Sequence, residues 1–145
     1  LFEPDVPSFS ERMDLIENLI HEQKVKVVVK IDPVSPGITD KHQLNSLIKW
    51  LIKAKPFAVT SETLRLTETI AQRFKVNLPN GLYNRIIGYY PELNETPKHP
   101  NLKYRNELFC HIRDEFKHTN IRTAFCKATL SEPITQNDCR GGFAV

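Results

Sequence analysis

The sequence predicts an α/β fold whose first half alternates helix and parallel strand and whose second half is mainly helical. Three observations predict it. A capped amphipathic helix leads into a short β-branched run, Val25-Lys26-Val27-Val28-Val29-Lys30-Ile31. A second amphipathic stripe then leads into Phe57-Ala58-Val59-Thr60, at the spacing of a right-handed strand–helix–strand crossover. After Thr60 the rhythm changes, and helical spacing dominates until a final short alternating run.

The elements follow in order. Ser8-Phe9-Ser10-Glu11 has capping-box spacing, with a hydroxyl to accept from an orphan N–H and Glu11 reaching back. Met13, Ile16, Leu19 and Ile20 share one helical face, so a helix runs to about His21. The near-continuous apolar run Val27–Val29 suits a parallel strand covered on both faces. The segment "KIDPVSPGITD", residues 30–40, then carries the chain out through two prolines, a glycine and two aspartates. Asp40 can cap a helix carrying Leu44, Leu47, Ile48, Leu51 and Ile52 on one stripe, which Pro56 ends. Leu66, Ile70 and Phe74 predict a helix over 63–75, and Asn80-Gly81 marks a turn. Leu82, Ile86 and Ile87 predict a short helix ending near Gly88, and residues 91–101, with three prolines, read as a loop. Tyr104, Leu108, Phe109, Ile112 and Phe116 predict another helix, and Ile121, Thr123 and Phe125 one more strand. The tail from Thr129 reads as irregular.

Composition bounds the function. The 145 residues are 40% hydrophobic and 26% charged, enough for one domain with a core, or a piece of one. A net charge of +3 is too small to mark a dedicated nucleic-acid binder. No apolar run approaches membrane-spanning length, and no signal-peptide pattern is present. Three cysteines argue against a disulfide framework, so a reducing cytoplasm is the expected compartment.

The helix over 10–21 feeds a strand and needs a strand to feed it. Leu1-Phe2-Glu3-Pro4 reads as the end of that strand, so further strands are expected upstream. In parallel α/β architectures ligands sit where loops leave the carboxyl ends of strands. Asp32 to Asp40 occupies that position, with Pro33 and Pro36 restricting the backbone and Gly37 permitting an unusual dihedral pair. Such a turn either aims main-chain groups at a bound cofactor or serves as a stiff connector capping the next helix.

Residues 3–40, with Glu3-Pro4, then Ser10-Glu11-Arg12, then Pro33-Val34-Ser35-Pro36-Gly37-Ile38-Thr39-Asp40, resemble the second half of the barrel in radical S-adenosylmethionine proteins. The likeness is greatest to the group related to spore photoproduct lyase. Val59-Thr60-Ser61-Glu62-Thr63-Leu64-Arg65-Leu66 resembles that family's last barrel strand and its exit. The resemblance covers residues 1–66. It implies the carboxyl-terminal half of a partial TIM-type barrel over 1–66 and a helical carboxyl-terminal extension over 67–145. It also implies S-adenosylmethionine and a [4Fe–4S] cluster in the full-length protein, with reductive cleavage of the cofactor producing a radical. The family's CxxxCxxC cluster motif is absent, since Cys110, Cys126 and Cys139 are widely spaced, and the chain alone is not expected to be active. The cofactor-binding candidates are Glu3, Asp32, Pro33, Pro36, Gly37, Ser61 and Glu62, with Ser61 and Glu62 expected to face the same mouth. Arg65 could bind a carboxylate or phosphate bidentately, and a surface ion pair explains it equally well. The expected partner is the missing amino-terminal half of the barrel, on the same or another chain.

Other features support other readings. His111 and His118 lie seven apart beside Cys110, but ordinary structural roles for them and for the cysteines compete with a metal site. Tyr83, Tyr89, Tyr90 and Tyr104 are interleaved with Arg85, Lys98, Lys103 and Arg105, a pattern that can stack and hold single-stranded nucleic acid. The alternative to an enzyme part is therefore a non-catalytic α/β module binding nucleic acid or a protein through residues 83–105. A structural subunit lending half a barrel to another chain is a third.

Overall fold

The computed structural model describes residues 6–39 and 41–125. Glu3, Pro4, Asp40, Cys126, Cys139 and the tail lie outside the described residues. The order of elements is α1 (Phe9–His21), β1 (Val28–Val34), α2 (Lys41–Ala54), β2 (Ala58–Thr63), α3 (Glu68–Asn77), α4 (Asn80–Ile87), α5 (Leu102–Phe116) and β3 (Arg122–Phe125). The three strands form one parallel sheet in the order β1-β2-β3.

Strand alternation sorts the sheet into two faces. Ile31, Ser61 and Phe125 are in register, as are Val29, Val59 and Thr123. Ile31, Val59 and Phe125 join Leu44, Ile48 and Leu51 of α2 and Leu108, Phe109, Ile112 and Phe116 of α5 in one core. Phe109 and Phe125 stack at 4.8 Å between ring centroids. Both crossovers therefore lie on one face of the sheet, and the core unites residues on either side of position 66. The opposite face carries Val28, Ala58 and Arg122 in one row and Lys30, Thr60 and Ala124 in the next. At its amino end the Phe57 ring is approached by Lys26 at 5.3 Å and Arg122 at 4.8 Å.

Local chemistry explains the boundaries. The expected capping box is present: Ser8 Oγ accepts from the Glu11 N–H, and Glu11 Oε2 accepts from the Ser8 N–H. The α2 stripe buries Leu44, Ile48 and Leu51 as the spacing predicts. Asn101 Oδ1 caps α5, and Thr67 Oγ1 caps α3, which starts later than its apolar spacing suggests. Asn80-Gly81 opens α4 instead of making a separate turn.

Two expectations are corrected. The strand expected at 25–31 sits three residues further on, and its Val28 is 44% exposed. Among the described residues β1 is an edge strand, and the strand buried on both faces is the central one, β2. α1 likewise buries no residue completely. It packs beside α2, where Trp50 Nε1 donates to Glu17 Oε1 at 2.9 Å, and an apolar groove remains between α1 and α2, lined by Phe9, Met13, Leu47 and Trp50.

The proline-rich turn works as a connector. Between Ile31↔Ser61 and Val34↔Thr63, β1 carries one more residue than β2. The extra residue falls at Asp32-Pro33, a cis peptide bond, where proline has no N–H to offer the ladder. The Ser35 N–H then donates to Thr39 Oγ1, and the N–H groups of Ile38 and Thr39 both donate to the Ser35 carbonyl. Pro36 is buried, and Gly37 adopts φ +76° against α4. A Cβ there would lie 3.0 Å from Arg85 Cγ and 3.4 Å from the Ile86 nitrogen. Gly37→Ala is therefore expected to destabilise the fold by about 1–3 kcal/mol. Urea unfolding should show this as a lower midpoint with an unchanged slope.

Candidate functional site

The carboxyl ends of β1 and β2 place four charges on the face of the sheet away from the helices. Lys30 is in register with Thr60, and residues 32 and 62 follow two positions later on the same side. Lys30 Nζ lies 2.7 Å from Asp32 Oδ2 and 3.9 Å from Glu62 Oε2. Arg65 Nη2 lies 2.9 Å from Glu62 Oε1, close enough for an ion pair. That contact lacks hydrogen-bond alignment, so the buried Glu62 oxygen has no formal hydrogen bond. The Glu62 side chain is 14% exposed, against 55% for Lys30 and 51% for Arg65. The carboxylates thus sit deeper than the cations. Thr60, on the same face, is buried.

His99 stands beside this group. Its Nδ1 is 3.4 Å from Thr63 Oγ1 at the end of β2. The loop reaches this point because Leu66 and Lys98 exchange backbone hydrogen bonds of 2.8 and 2.9 Å. Burial first, then Arg105 and Arg65, hold the imidazole pKa below the ordinary histidine value, with Glu62 opposing. Arg105 is itself buried and donates from Nε to the Pro100 carbonyl at 3.0 Å.

Chemically, the cluster offers two carboxylates as acceptors and two cations as donors at the ends of two adjacent strands. The charges alternate and are paired with one another, so a ligand carboxylate, ammonium or hydroxyl would engage them by exchanging partners within these pairs.

The candidates from sequence divide. Asp32 and Glu62 are brought together through Lys30. Pro33 stands exposed in the extra-residue kink, while Pro36 and Gly37 serve the packing of the turn. The main-chain N–H groups of Ser35, Ile38 and Thr39 are consumed within that turn. Ser61 does not face the mouth beside Glu62, because neighbouring residues of a strand point to opposite sides. It is 1% exposed and donates to the Ile31 carbonyl at 3.1 Å. Glu3 lies outside the described residues. Lys30 and His99 were not singled out for this place. Lys30 was legible as the residue two before Asp32 on one strand, whereas the approach of His99 depends on a bridge between distant segments.

The tyrosines and bases of 83–105 are largely absorbed by packing. None of the four tyrosines is fully exposed. Tyr89 and Tyr104 meet edge to face at 4.9 Å. Tyr90 Oη donates to the Leu64 carbonyl at 2.7 Å, and burial raises its pKa beyond the ordinary tyrosine range. His118 lies beyond the end of α5, and Cys110 is a half-buried free thiol. Among the described residues, no three His, Cys, Asp or Glu side chains are placed to hold a metal ion, and no helix is long and apolar enough to cross a membrane.

No family model, no curated protein and no solved structure matches the chain.

The lowered His99 pKa has a consequence for stability. Below the unfolded value the unfolded chain binds a proton that the folded chain resists, so this group makes stability fall as pH drops from about 7 toward 5. His99→Gln is expected to flatten that part of the pH dependence. Thermal melting of both proteins across this window checks it; parallel curves would remove the assignment.

Proposed function

We propose that this chain is the carboxyl-terminal part of a radical S-adenosylmethionine barrel and that its strand ends form part of the S-adenosylmethionine site. The observation that carries the reading is the Lys30, Asp32, Glu62 and Arg65 cluster, at the carboxyl ends of parallel strands and on the face opposite the core helices. In a sheet wound with all crossovers on one side, that face becomes the inside of a barrel. The resemblance over residues 1–66 points to the same architecture. Among the described residues no strand pairs with the outer edge of β1, and α1 is incompletely covered, which suits a further parallel strand on that side. Its source would be the amino-terminal half of the barrel.

The donor set suits S-adenosylmethionine, a zwitterion that also carries ribose hydroxyls. Asp32 and Glu62 would accept from the hydroxyls or the ammonium, and Lys30 or Arg65 would hold the carboxylate. The described residues do not fit a [4Fe–4S] cluster, because no cysteine set converges on this mouth. Its ligands would have to come from other residues.

The test begins with the natural gene product, isolated from its cells and characterised by intact mass and amino-terminal sequence. It is expected to include an upstream CxxxCxxC segment and, after anaerobic reconstitution with iron and sulfide, to release 5′-deoxyadenosine from S-adenosylmethionine in the presence of a reductant. Asp32→Asn and Glu62→Gln should each weaken S-adenosylmethionine binding about tenfold, or about 1.4 kcal/mol. A natural product without that segment, or variants that bind like the parent, would overturn the proposal.

A further inference from the structure

A cleft lies on the helix-bearing side of β1, and its lining shares no residue with the charged cluster. It occupies about 320 Å³ between the end of β1, the start of α2 and one flank of α5. That volume is at the small end for ligand pockets and suits one small molecule. Val34, Leu44 and Leu108, all at least nine-tenths buried, give it an apolar floor. Tyr89 and Tyr104 supply an aromatic wall, and their edge-to-face contact, with ring planes at 61°, holds both rings. His111 closes another side and is held in place by Asn45, whose Oδ1 lies 2.6 Å from its Nε2.

Two opposite charges complete the lining. Lys41 comes from the first residue of α2, and Glu107 from α5. Both are exposed, and neither forms an ion pair with a described residue. The cleft thus presents a cation and an anion that are not spent on each other, above an apolar and aromatic interior. We infer that this cleft binds a small zwitterion of the α-amino-acid class with an apolar or aromatic side chain. The ligand carboxylate faces Lys41, its ammonium faces Glu107, and its side chain lies on Val34, Leu44 and Leu108 against the tyrosines. Burial pushes the Tyr104 pKa up to about 12, so its hydroxyl remains a donor across the physiological range. The inference does not rest on the barrel reading.

The experiment is calorimetric titration of the 145-residue chain with four probes: L-phenylalanine, L-leucine, hydrocinnamate, which lacks the ammonium, and phenethylamine, which lacks the carboxylate. Phenylalanine is expected to bind saturably, and each truncated analogue about tenfold more weakly. In Glu107→Gln, phenylalanine should lose its advantage over hydrocinnamate but keep it over phenethylamine. In Lys41→Met the pattern should reverse. Both side chains are exposed, and thermal melting verifies that each variant folds. Absence of saturable binding by phenylalanine and leucine at millimolar concentration overturns the inference. So does a discrimination between analogues that survives unchanged in both variants.

Discussion

Because both crossovers lie on one face of the sheet, they bury one side of every strand and leave the other side to a different chemistry. β2 makes this possible. It is paired on both edges, and five of its six residues are buried. With β2 fixed, alternation alone sends Val59 and Ser61 to the helices and Thr60 and Glu62 to the opposite face. The core then forms where α2 and α5 cover Ile31, Val59 and Phe125. The charged cluster is the other consequence of that division, since Lys30 and Glu62 can meet only on the face the core does not occupy.

The turn after β1 runs from the charged cluster at Asp32 to the cleft lined by Gly37 and Thr39. The extra residue at Asp32-Pro33 turns the strand, and the Ser35–Thr39 hydrogen bonds close the segment on itself. Gly37 lets α4 approach the backbone closely. The rigidity visible in the two prolines and the glycine is thus spent on holding the turn against α4.

Much of this was legible in the residues themselves. The α1 cap, the α2 stripe, the α5 apolar positions and the alternation at Ile121–Phe125 are local signals, and each element is present. β1 was displaced because Val25 to Val27 have strand-like side chains, while pairing with β2 begins only at Val28. Asn80-Gly81 read as a turn because those residue types favour turns, but Pro79 precedes them and the helix starts at once. Asp32 and Glu62 could be placed at strand ends from sequence. Ser61 and Glu62 are neighbours on one strand, so alternation sends them to opposite faces. The position of His99 was illegible, because it follows from the Leu66–Lys98 bridge and from the buried Arg105, neither of which leaves a periodic trace.

The cluster at the mouth alternates in sign: Lys30 stands against Asp32 and Glu62, and Glu62 against Arg65. Two positive and two negative groups at this spacing cancel at long range, and salt screens what remains beyond about 8 Å. An approaching charged molecule therefore meets little field to steer it, and its encounter rate is set by diffusion and orientation. If the cluster takes the proposed ligand, selectivity there acts after contact, through how long the ligand stays. Changes in ionic strength should then alter occupancy far less than they would at a site of one sign.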